Sequence, residues 1–343
     1  MQAKRSELLE ENAGLKEHLG VLAAAAAEEA AVAALGAGQG LGGGLVLEQR
    51  LGSGRFGTTW RARAGRCGQE QGEAAAGSPA PSSAWTANLE EELEEGRAVA
   101  VKVLRLEDGW SSLDSFEREA SVLRRLKHPA IPRYLGSVSR DRPGGADFGL
   151  VTQLVDGATL EELVRTGRFS ADVANVRMLA ETLLDACVHL ARFLPPVVHR
   201  DIKPANVVLE ELAAGSRPGP RWRAFLVDFG SAILGSSSSF SKSAASAVGT
   251  FGFMAPESFG RVFTPQSDLY GVGATLLFAA TGQDPGTLPQ ERLRVCFREA
   301  LAGSVWEREE PWLAELLDGL MAPVPEDRFS SAAEALALLR APA

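Results

Sequence analysis

The sequence has 343 residues, a formal net charge of −9 at pH 7 and 45% hydrophobic residues. A chain of this length can bury a sizeable core and form two lobes, and its negative charge argues against a general nucleic-acid or membrane-surface binder. Three widely spaced cysteines, Cys67, Cys187 and Cys296, match no metal-ligand pattern and indicate free thiols in a reducing compartment. No apolar run reaches the roughly 20 residues of a membrane-spanning helix. Because the N-terminus also lacks the features of a signal or transit peptide, we expect a soluble intracellular protein.

The first 35 residues are rich in helix-forming residues. Leu8, Leu15 and Leu22 repeat every seven residues, and Asn12 lies at the alternate position of the same seam. A buried Asn among leucines fixes register in coiled coils. The pattern lasts under three heptads, however, so a solvated helix and a weak dimerising coil both stay open. Residues 36–44 contain six glycines and predict a flexible linker, which makes the globular domain begin near residue 45.

A glycine-rich loop follows the first predicted strand, residues 45–51. It contains Gly52, Gly54 and Gly57, a spacing that dinucleotide-binding folds share and that is therefore weak evidence by itself. The residues after the loop, 58–62, are β-branched and aromatic, so a second strand is predicted where a dinucleotide fold needs a helix. A strand-loop-strand hairpin lets backbone amides approach phosphate groups.

Residues 64–97 predict a disordered insertion between the second and third strands, because they are rich in Ala, Gly, Pro, Ser and Glu. The acidic cluster at 90–95 fits solvated filler better than a docking surface. An apolar strand, residues 98–104, then carries one cation, Lys102, in its middle. A Lys in a buried strand needs a partner, and the alternative is an edge strand with Lys102 in solvent.

A helix is predicted over residues 114–126, after an Asp-Ser capping signal. Its 3.6-residue periodicity places Glu119 on the inward face beside Phe116, whereas Glu117 lies on the solvent side. An acid on the inward face requires an internal cation, so we predict that Glu119 pairs with Lys102.

Two short motifs in the second half carry the chemistry: His-Arg-Asp-Ile-Lys-Pro-Ala-Asn at 199–206 and Asp-Phe-Gly at 228–230. Asp201 can take a hydroxyl proton, Lys203 places a cation near a moving phosphate, and Asn206 and Asp228 offer oxygen ligands to Mg²⁺. The two motifs resemble the catalytic loop and the metal-binding triplet of eukaryotic-type serine/threonine protein kinases. The surrounding segments are similar to those of bacterial-type and plant or algal plastid-related kinases.

The resemblance implies an α+β, bilobal protein kinase fold, with a small β-rich N-lobe that holds one key helix and a larger, mainly helical C-lobe. It implies a helical arm and linker at 1–44 and a kinase domain at 45–340, divided into an N-lobe at 45–152 and a C-lobe at 156–340. The cofactors it implies are ATP and Mg²⁺. The catalytic residues would be Asp201, Lys203, Lys102 and Glu119, and the metal ligands Asn206 and Asp228. The nucleotide-binding residues would be Leu51, Gly52, Ser53, Gly54, Arg55, Phe56, Gly57, Thr59, Ala100, Lys102, Thr152 (the gatekeeper), Gln153 and Val155.

The resemblance also assigns supporting roles. His199 would pack beneath the metal-binding triplet, Asp268 would fasten the catalytic loop, and Arg328 would pair with Glu257. The segment from 228 to 257 would be the activation segment, with a serine cluster at 236–246 and with Thr250 near Lys203 and Asp201. Phosphorylation of this cluster, read by Arg200, would order the segment; a plain flexible loop is the alternative.

Three functions are compatible with this family. The first is transfer of the ATP γ-phosphate to serine or threonine hydroxyls of protein substrates. The second is an ATP-binding pseudokinase scaffold, which the presence of Lys102, Asp201 and Asp228 disfavours. The third is small-molecule phosphorylation, disfavoured by the complete activation segment. The expected partners are ATP, a protein substrate and, through the N-terminal helix, a weakly bound second copy, with no nucleic acid and no membrane span. The expected compartment is the cytoplasm, with a plastid as alternative.

Overall fold

The computed structural model of the protein describes residues 35–54, 57–65, 86–89, 93–107, 110–142, 145–212, 221–234, 251–308 and 310–341. These residues form two compact units. The first comprises the described residues of Met1–Phe116 together with Tyr134–Leu154, and the second comprises those of Glu117–Arg133 and Val155–Ala343. The first is built on a β-sheet and the second on helices, which confirms the predicted α+β class.

The first unit contains a six-stranded antiparallel sheet. Its strands are β1 (Leu45–Gly54), β2 (Gly57–Ala64), β3 (Thr86–Leu89), β4 (Ala98–Glu107), β5 (Tyr134–Arg142) and β6 (Gly145–Gln153). They lie in the order β1-β2-β4-β6-β5-β3. Alternate residues of the central strands point into the core, and Val99, Val101 and Val103 are fully buried there.

The glycine-rich stretch before β1 differs from its prediction. Instead of a flexible linker, residues 36–44 fold back along β1: the N–H of Gly38 donates to the carbonyl of Leu47, and Leu41 donates to Leu45. Leu35 and Leu41 are buried in the same core as the sheet. Within the described residues the core therefore reaches back to Leu35, ten residues before the predicted boundary. Leu35 and Leu41 supply apolar surface that the glycine-rich composition does not indicate. The helical arm lies outside the described residues.

The predicted insertion also differs in part. Residues 86–89 form β3, which pairs with β5 at the far edge of the sheet, with Leu89 opposite Gly136. Ala87 and Leu89 pack against the core of the first unit. The β-branched residue Thr86 and the apolar residues of this stretch favour a strand once an open sheet edge is available. Residues 66–85 of the insertion lie outside the described part of the chain.

The second unit is organised around two buried helices. Its helices are α1 (Trp110–Arg125, shared with the first unit), α2 (Leu160–Arg165), α3 (Val173–Ala191), α4 (Pro256–Phe259), α5 (Pro265–Thr281), α6 (Arg298–Leu301), α7 (Val305–Arg308), α8 (Trp312–Leu320) and α9 (Ala332–Arg340). Helix α1 begins four residues before its predicted start. Helix α5 is buried along nearly its whole length, and its all-round apolar sequence is typical of a core helix. It packs against α3 and α8.

Short strands of the second unit carry the chemistry-bearing loops. They are β7 (Gly157–Thr159), β8 (Val197–Val198), β9 (Val207–Glu211), β10 (Trp222–Leu226), β11 (Ile233–Leu234), β12 (Gln290–Glu291) and β13 (Arg294–Val295). β8 pairs with β11, so the segments that follow 198 and precede 233 are held side by side. Among the described residues, no helix is long and apolar enough to cross a membrane.

Candidate active site

Strand β4 carries Lys102 on the face opposite the core. Val101 and Val103 are fully buried, whereas Ala100 and Lys102 are half-buried. Because side chains alternate along a strand, Ala100 and Lys102 share one face. β4 lies between β2 and β6, so the alternative of an edge strand is wrong. A lysine is tolerated in this central strand because its side chain projects from the face opposite the core and is only half-buried.

Strand pairing extends this face on both sides. Thr59 of β2 lies opposite Lys102, and Thr152 of β6 lies opposite Ala100. Directly paired residues project from the same face of a sheet. The structure therefore brings together on one face four residues that were predicted to bind nucleotide: Thr59, Ala100, Lys102 and Thr152. Gln153, a fifth, is exposed and ends β6.

The glycine loop is the turn of the β1–β2 hairpin. Gly54 pairs with Gly57 across the turn, and Arg55 and Phe56 between them lie outside the described residues. Gly57 has φ +114°, and a Cβ there would stand 2.3 Å from the carbonyl oxygen of Val103, so only glycine fits. The predicted strand-loop-strand geometry is confirmed.

Three further nominated residues surround this turn. Leu51 is 48% exposed and lies at an irregularity in the β1–β2 register, just before Gly52. The hydroxyls of Ser53 and Thr58 lie 3.3 Å apart and bridge the strands. An exposed leucine next to a glycine turn offers an apolar surface of the kind that a purine ring covers.

Glu119 and Val155 belong to the second unit, as do the predicted catalytic and metal-binding residues of the loops after β8 and β10. Glu119 of α1 is 4% exposed, as its inward placement predicts, and Glu117 is exposed. Val155 is half-buried and lies two residues after the end of β6. The pairing of Glu119 with Lys102 stays a prediction.

Asp201 is the centre of a hydrogen-bonded cluster on the loop after β8. Lys203 Nζ lies 2.9 Å from Asp201 Oδ2, with the two side chains 21% and 12% exposed. The side-chain amide of Asn206 donates to the same carboxylate oxygen at 2.9 Å and to the Asp201 carbonyl at 2.8 Å. Pro204 begins the single 3₁₀ turn that brings Asn206 back to Asp201. A cation and an amide therefore fix the orientation of one carboxylate.

Asp228 is linked to this cluster through the backbone of the residue before it. The N–H of Val227 donates to the carbonyl of Asn206 at 2.9 Å, which ties the two nominated metal ligands together through backbone. Asp228 has φ 62°, and its carboxylate accepts from the N–H of Gly230 at 3.3 Å. A non-glycine residue in the left-handed region is strained, and such strain is common where a side chain is aimed at a ligand.

His199 is a fully buried spacer under the triplet, as predicted. Its ring meets that of Phe229 edge-on, with centroids 4.7 Å apart. Nδ1 accepts from the N–H of Asp201, so Nε2 carries the proton and donates to the carbonyl of Val227. Burial lowers the pKa of His199, which keeps this neutral tautomer.

Asp268, near the start of α5, anchors the loop that begins at His199. Its two carboxylate oxygens accept from the consecutive N–H groups of His199 (2.7 Å) and Arg200 (2.8 Å). This arrangement holds Arg200 at φ 68°. Burial raises the pKa of Asp268 to about 7, although the two N–H groups and the Arg200 cation act in the opposite direction.

A second anchor fixes the end of the activation segment. Arg328, with no exposed side-chain surface, binds Glu257 through both guanidinium ends at 2.7 and 2.8 Å. Ser267 adds a third bond to Glu257. Burial acts to raise the pKa of Glu257, but Arg328 outweighs it and the pKa is lowered. The predicted Glu257–Arg328 pair is confirmed.

Some nominated positions cannot be placed. Thr250 and the serine cluster at 236–246 lie outside the described residues. Conversely, sequence reasoning gave no role to Phe253 and Phe278, which line a pocket beside Lys203; both look like core residues in the sequence, and no local signal distinguishes them.

Comparisons with known proteins agree with this geometry. A family model described as "Protein kinase domain" matches residues 87–338. The chain is 36% identical over 249 residues to the serine/threonine-protein kinase PkaA of Streptomyces coelicolor, which covers 71% of this chain and 40% of the relative. It is 32% identical to the serine/threonine-protein kinase C of Synechocystis sp., covering 64% and 39%, and 31% identical to PknB of Mycobacterium tuberculosis, covering 72% and 39%. The chain thus spans about two fifths of the length of these relatives.

Proposed function

Because this chain belongs to the protein kinase domain family, with serine/threonine-protein kinases among its relatives, we propose that it transfers the γ-phosphate of ATP to serine and threonine hydroxyls of protein substrates. The observation that carries the proposal is the cluster in which Lys203 and Asn206 both hold one oxygen of Asp201. That arrangement leaves the carboxylate oriented and partly exposed, as a group that takes a proton from an acceptor hydroxyl must be.

The metal-binding residues fit Mg²⁺. Because the amide nitrogen of Asn206 is turned to Asp201, its amide oxygen is the atom left for a cation. With the carboxylate of Asp228 it makes the all-oxygen donor set that Mg²⁺ prefers. Mg²⁺ bound there would neutralise charge that develops on phosphate oxygens.

The roles of the chain's own residues follow from their chemistry. Asp201 orients the acceptor hydroxyl and accepts its proton, and Lys203 places a cation at the oxygen that gains charge. On the first unit, the glycine turn offers backbone N–H groups to phosphates, and the face with Ala100 and Thr152 offers a surface to adenine. Lys102, paired with Glu119, would bind the phosphates.

Regulation, partners and location are proposals as well. We infer that Arg200 reads a phosphate on the segment at 236–246; the Arg200 Nε now donates to the carbonyl of Ser231, an interaction that such a phosphate would replace. The predicted N-terminal helix would either be solvated or bind a second copy weakly. Free Cys187 and Cys296 support a reducing compartment, the cytoplasm or a plastid.

The decisive experiment measures transfer from radiolabelled ATP with Mg²⁺ to a basic protein and to the chain itself. We expect phosphoserine or phosphothreonine from the wild type, and a loss of about 10²- to 10⁴-fold in Asp201→Asn with ATP binding retained. Asp141→Asn, a change at an exposed strand residue, is the matched control. ATP binding without transfer by the wild type would instead favour the pseudokinase.

A further inference from the structure

A small pocket opens beside Lys203 in the second unit, with a volume of about 160 Å³. The apolar part of its lining is Ala205, Pro204 and the rings of Phe253 and Phe278. The two rings are 9% and 3% exposed and meet edge-on with centroids 6.1 Å apart. The pocket is smaller than the roughly 300–1,000 Å³ of drug-sized sites, and its size suits a single side chain.

The charged groups around the pocket are already engaged. Glu161 and Arg165 form an ion pair at 2.8 Å, one turn apart on α2. Asp284 accepts a backbone N–H of the turn it begins, at 2.8 Å. Lys203 holds Asp201. A charged occupant would therefore lose its water to face side chains that are already paired or hydrogen-bonded, whereas an apolar occupant gains contact with the aromatic lining.

Lys203 also fixes how far the pocket lies from the reacting hydroxyl. The same side chain lines the pocket and contacts the carboxylate that would receive the hydroxyl proton. Because one lysine side chain contacts both the pocket and Asp201, a substrate held at Asp201 presents the side chain of a nearby residue at the pocket.

We propose that this pocket receives an apolar side chain of the protein substrate, so that the enzyme selects serine or threonine residues that have a Leu, Met or Phe nearby. This inference rests on the proposed function and adds the class of substrate. Phe253 and Phe278 determine the selectivity by their apolar surface, and Ala205 leaves the space that the substrate side chain fills.

The test uses synthetic peptides with one central Ser, in which each flanking position is Leu, Phe, Lys or Asp in turn. Phosphate transfer is measured with the full chain, and peptide binding is measured separately by anisotropy of fluorescein-labelled copies. We expect one position at which Leu or Phe exceeds Lys and Asp on the order of 10-fold in both readouts.

Two variants make the test specific. Ala205→Glu puts an acid into the pocket and should shift the preference at that one position from Leu to Lys. Ala205→Phe fills the pocket and should abolish the preference. Ala333→Glu, which makes the same charge change at an exposed position of α9, should keep the wild-type pattern. Circular dichroism checks folding, and the Ala205→Phe result decides if Ala205→Glu unfolds.

The outcomes separate the two hypotheses. A wild type with no apolar preference at any position, or an Ala205→Glu variant with the wild-type pattern, would overturn the pocket proposal. If no peptide is phosphorylated, the proposed function fails, and the binding preference alone then decides whether the pocket selects apolar residues.

Discussion

At the scale of single residues, Asp268 combines burial with a structural task. The residue is 5% exposed, and its carboxylate accepts the N–H groups of His199 and Arg200. A buried carboxylate is costly unless hydrogen bonds satisfy it. Here two backbone donors do so only in part, since burial still raises the pKa to about 7.

This balance predicts a pH-dependent stability. Between the ordinary pKa of an Asp, about 4, and the folded-state pKa of about 7, the folded state binds a proton that the unfolded state has lost. The contribution of Asp268 to the free energy of unfolding should therefore fall as pH rises through this window, by at most about 1.4 kcal/mol per pH unit, and stay level above it.

Urea unfolding at several pH values checks this against Asp268→Asn, which cannot titrate. The free energy of unfolding of the wild type minus that of the variant should decrease from pH 4 to 7 and then stay constant. A difference independent of pH over that range would show that Asp268 is ionised throughout.

At the scale of elements, the Glu257–Arg328 pair joins α4, at the end of the predicted activation segment, to the turn before α9. Because Arg328 has no exposed side-chain surface, removing it leaves a mostly buried carboxylate without its counter-ion. We expect Arg328→Met to lower the free energy of unfolding by about 3–5 kcal/mol. Chemical denaturation measures this.

The matched control is Arg298→Met. Arg298 pairs with Asp318 in solvent, with side chains 68% and 39% exposed, so its loss should cost within about 1 kcal/mol. Equal effects of the two substitutions would refute the view that burial makes the first pair important.

The inserted strand β3 depends on one glycine. Gly136 of β5 has φ +150°, and a Cβ there would lie 2.4 Å from the carbonyl oxygen of Asn88 and 2.7 Å from the Cα of Leu89. We expect Gly136→Ala to detach β3 and to cost about 1–3 kcal/mol. Hydrogen exchange at the amides of residues 86–89 should accelerate.

Gly40→Ala serves as the control for this change, since nothing lies within 4 Å of a Cβ at Gly40. The rates of amide hydrogen exchange in β3 of the Gly40→Ala variant should match those of the wild type. Unchanged protection of β3 in Gly136→Ala would mean that the strand accommodates the methyl group by moving as a unit.

At the scale of the whole molecule, ligand binding should raise stability. A ligand that binds only the folded state stabilises it by RT ln(1 + [L]/Kd), about 2.7 kcal/mol at a hundred times Kd. We expect ATP with Mg²⁺ to raise the melting temperature, and EDTA to remove most of the gain. Asp228→Asn should lose the part that depends on Mg²⁺. A gain that is the same with EDTA, and the same in the variant, would argue against Asp228 as a metal ligand.

The sequence by itself determined the family, the strand-loop-strand form of the glycine turn and the supporting roles of Asp268 and Arg328. The roles of Asp268 and Arg328, whose partners lie 69 and 71 residues away in the sequence, came from the family resemblance. That resemblance and the glycine turn depend on residue types at short, fixed spacings: Asp201, Lys203 and Asn206 reach one another within a single turn of chain. Local spacing is enough there because backbone geometry over a few residues has few solutions.

Outside the family's motifs, only the tertiary structure decided which residues far apart in the chain meet. Composition predicted a linker at residues 36–44 and a disordered insertion at 64–97. In the structure Leu35 and Leu41 belong to the core of the first unit and Leu89 packs against it. Short apolar stretches pack there because the sheet offers an open edge and an uncovered apolar face. The pocket of Phe253 and Phe278 likewise exists only where separate elements converge. Burial is a property of the assembled surface, and periodicity within one segment does not specify what that segment will touch.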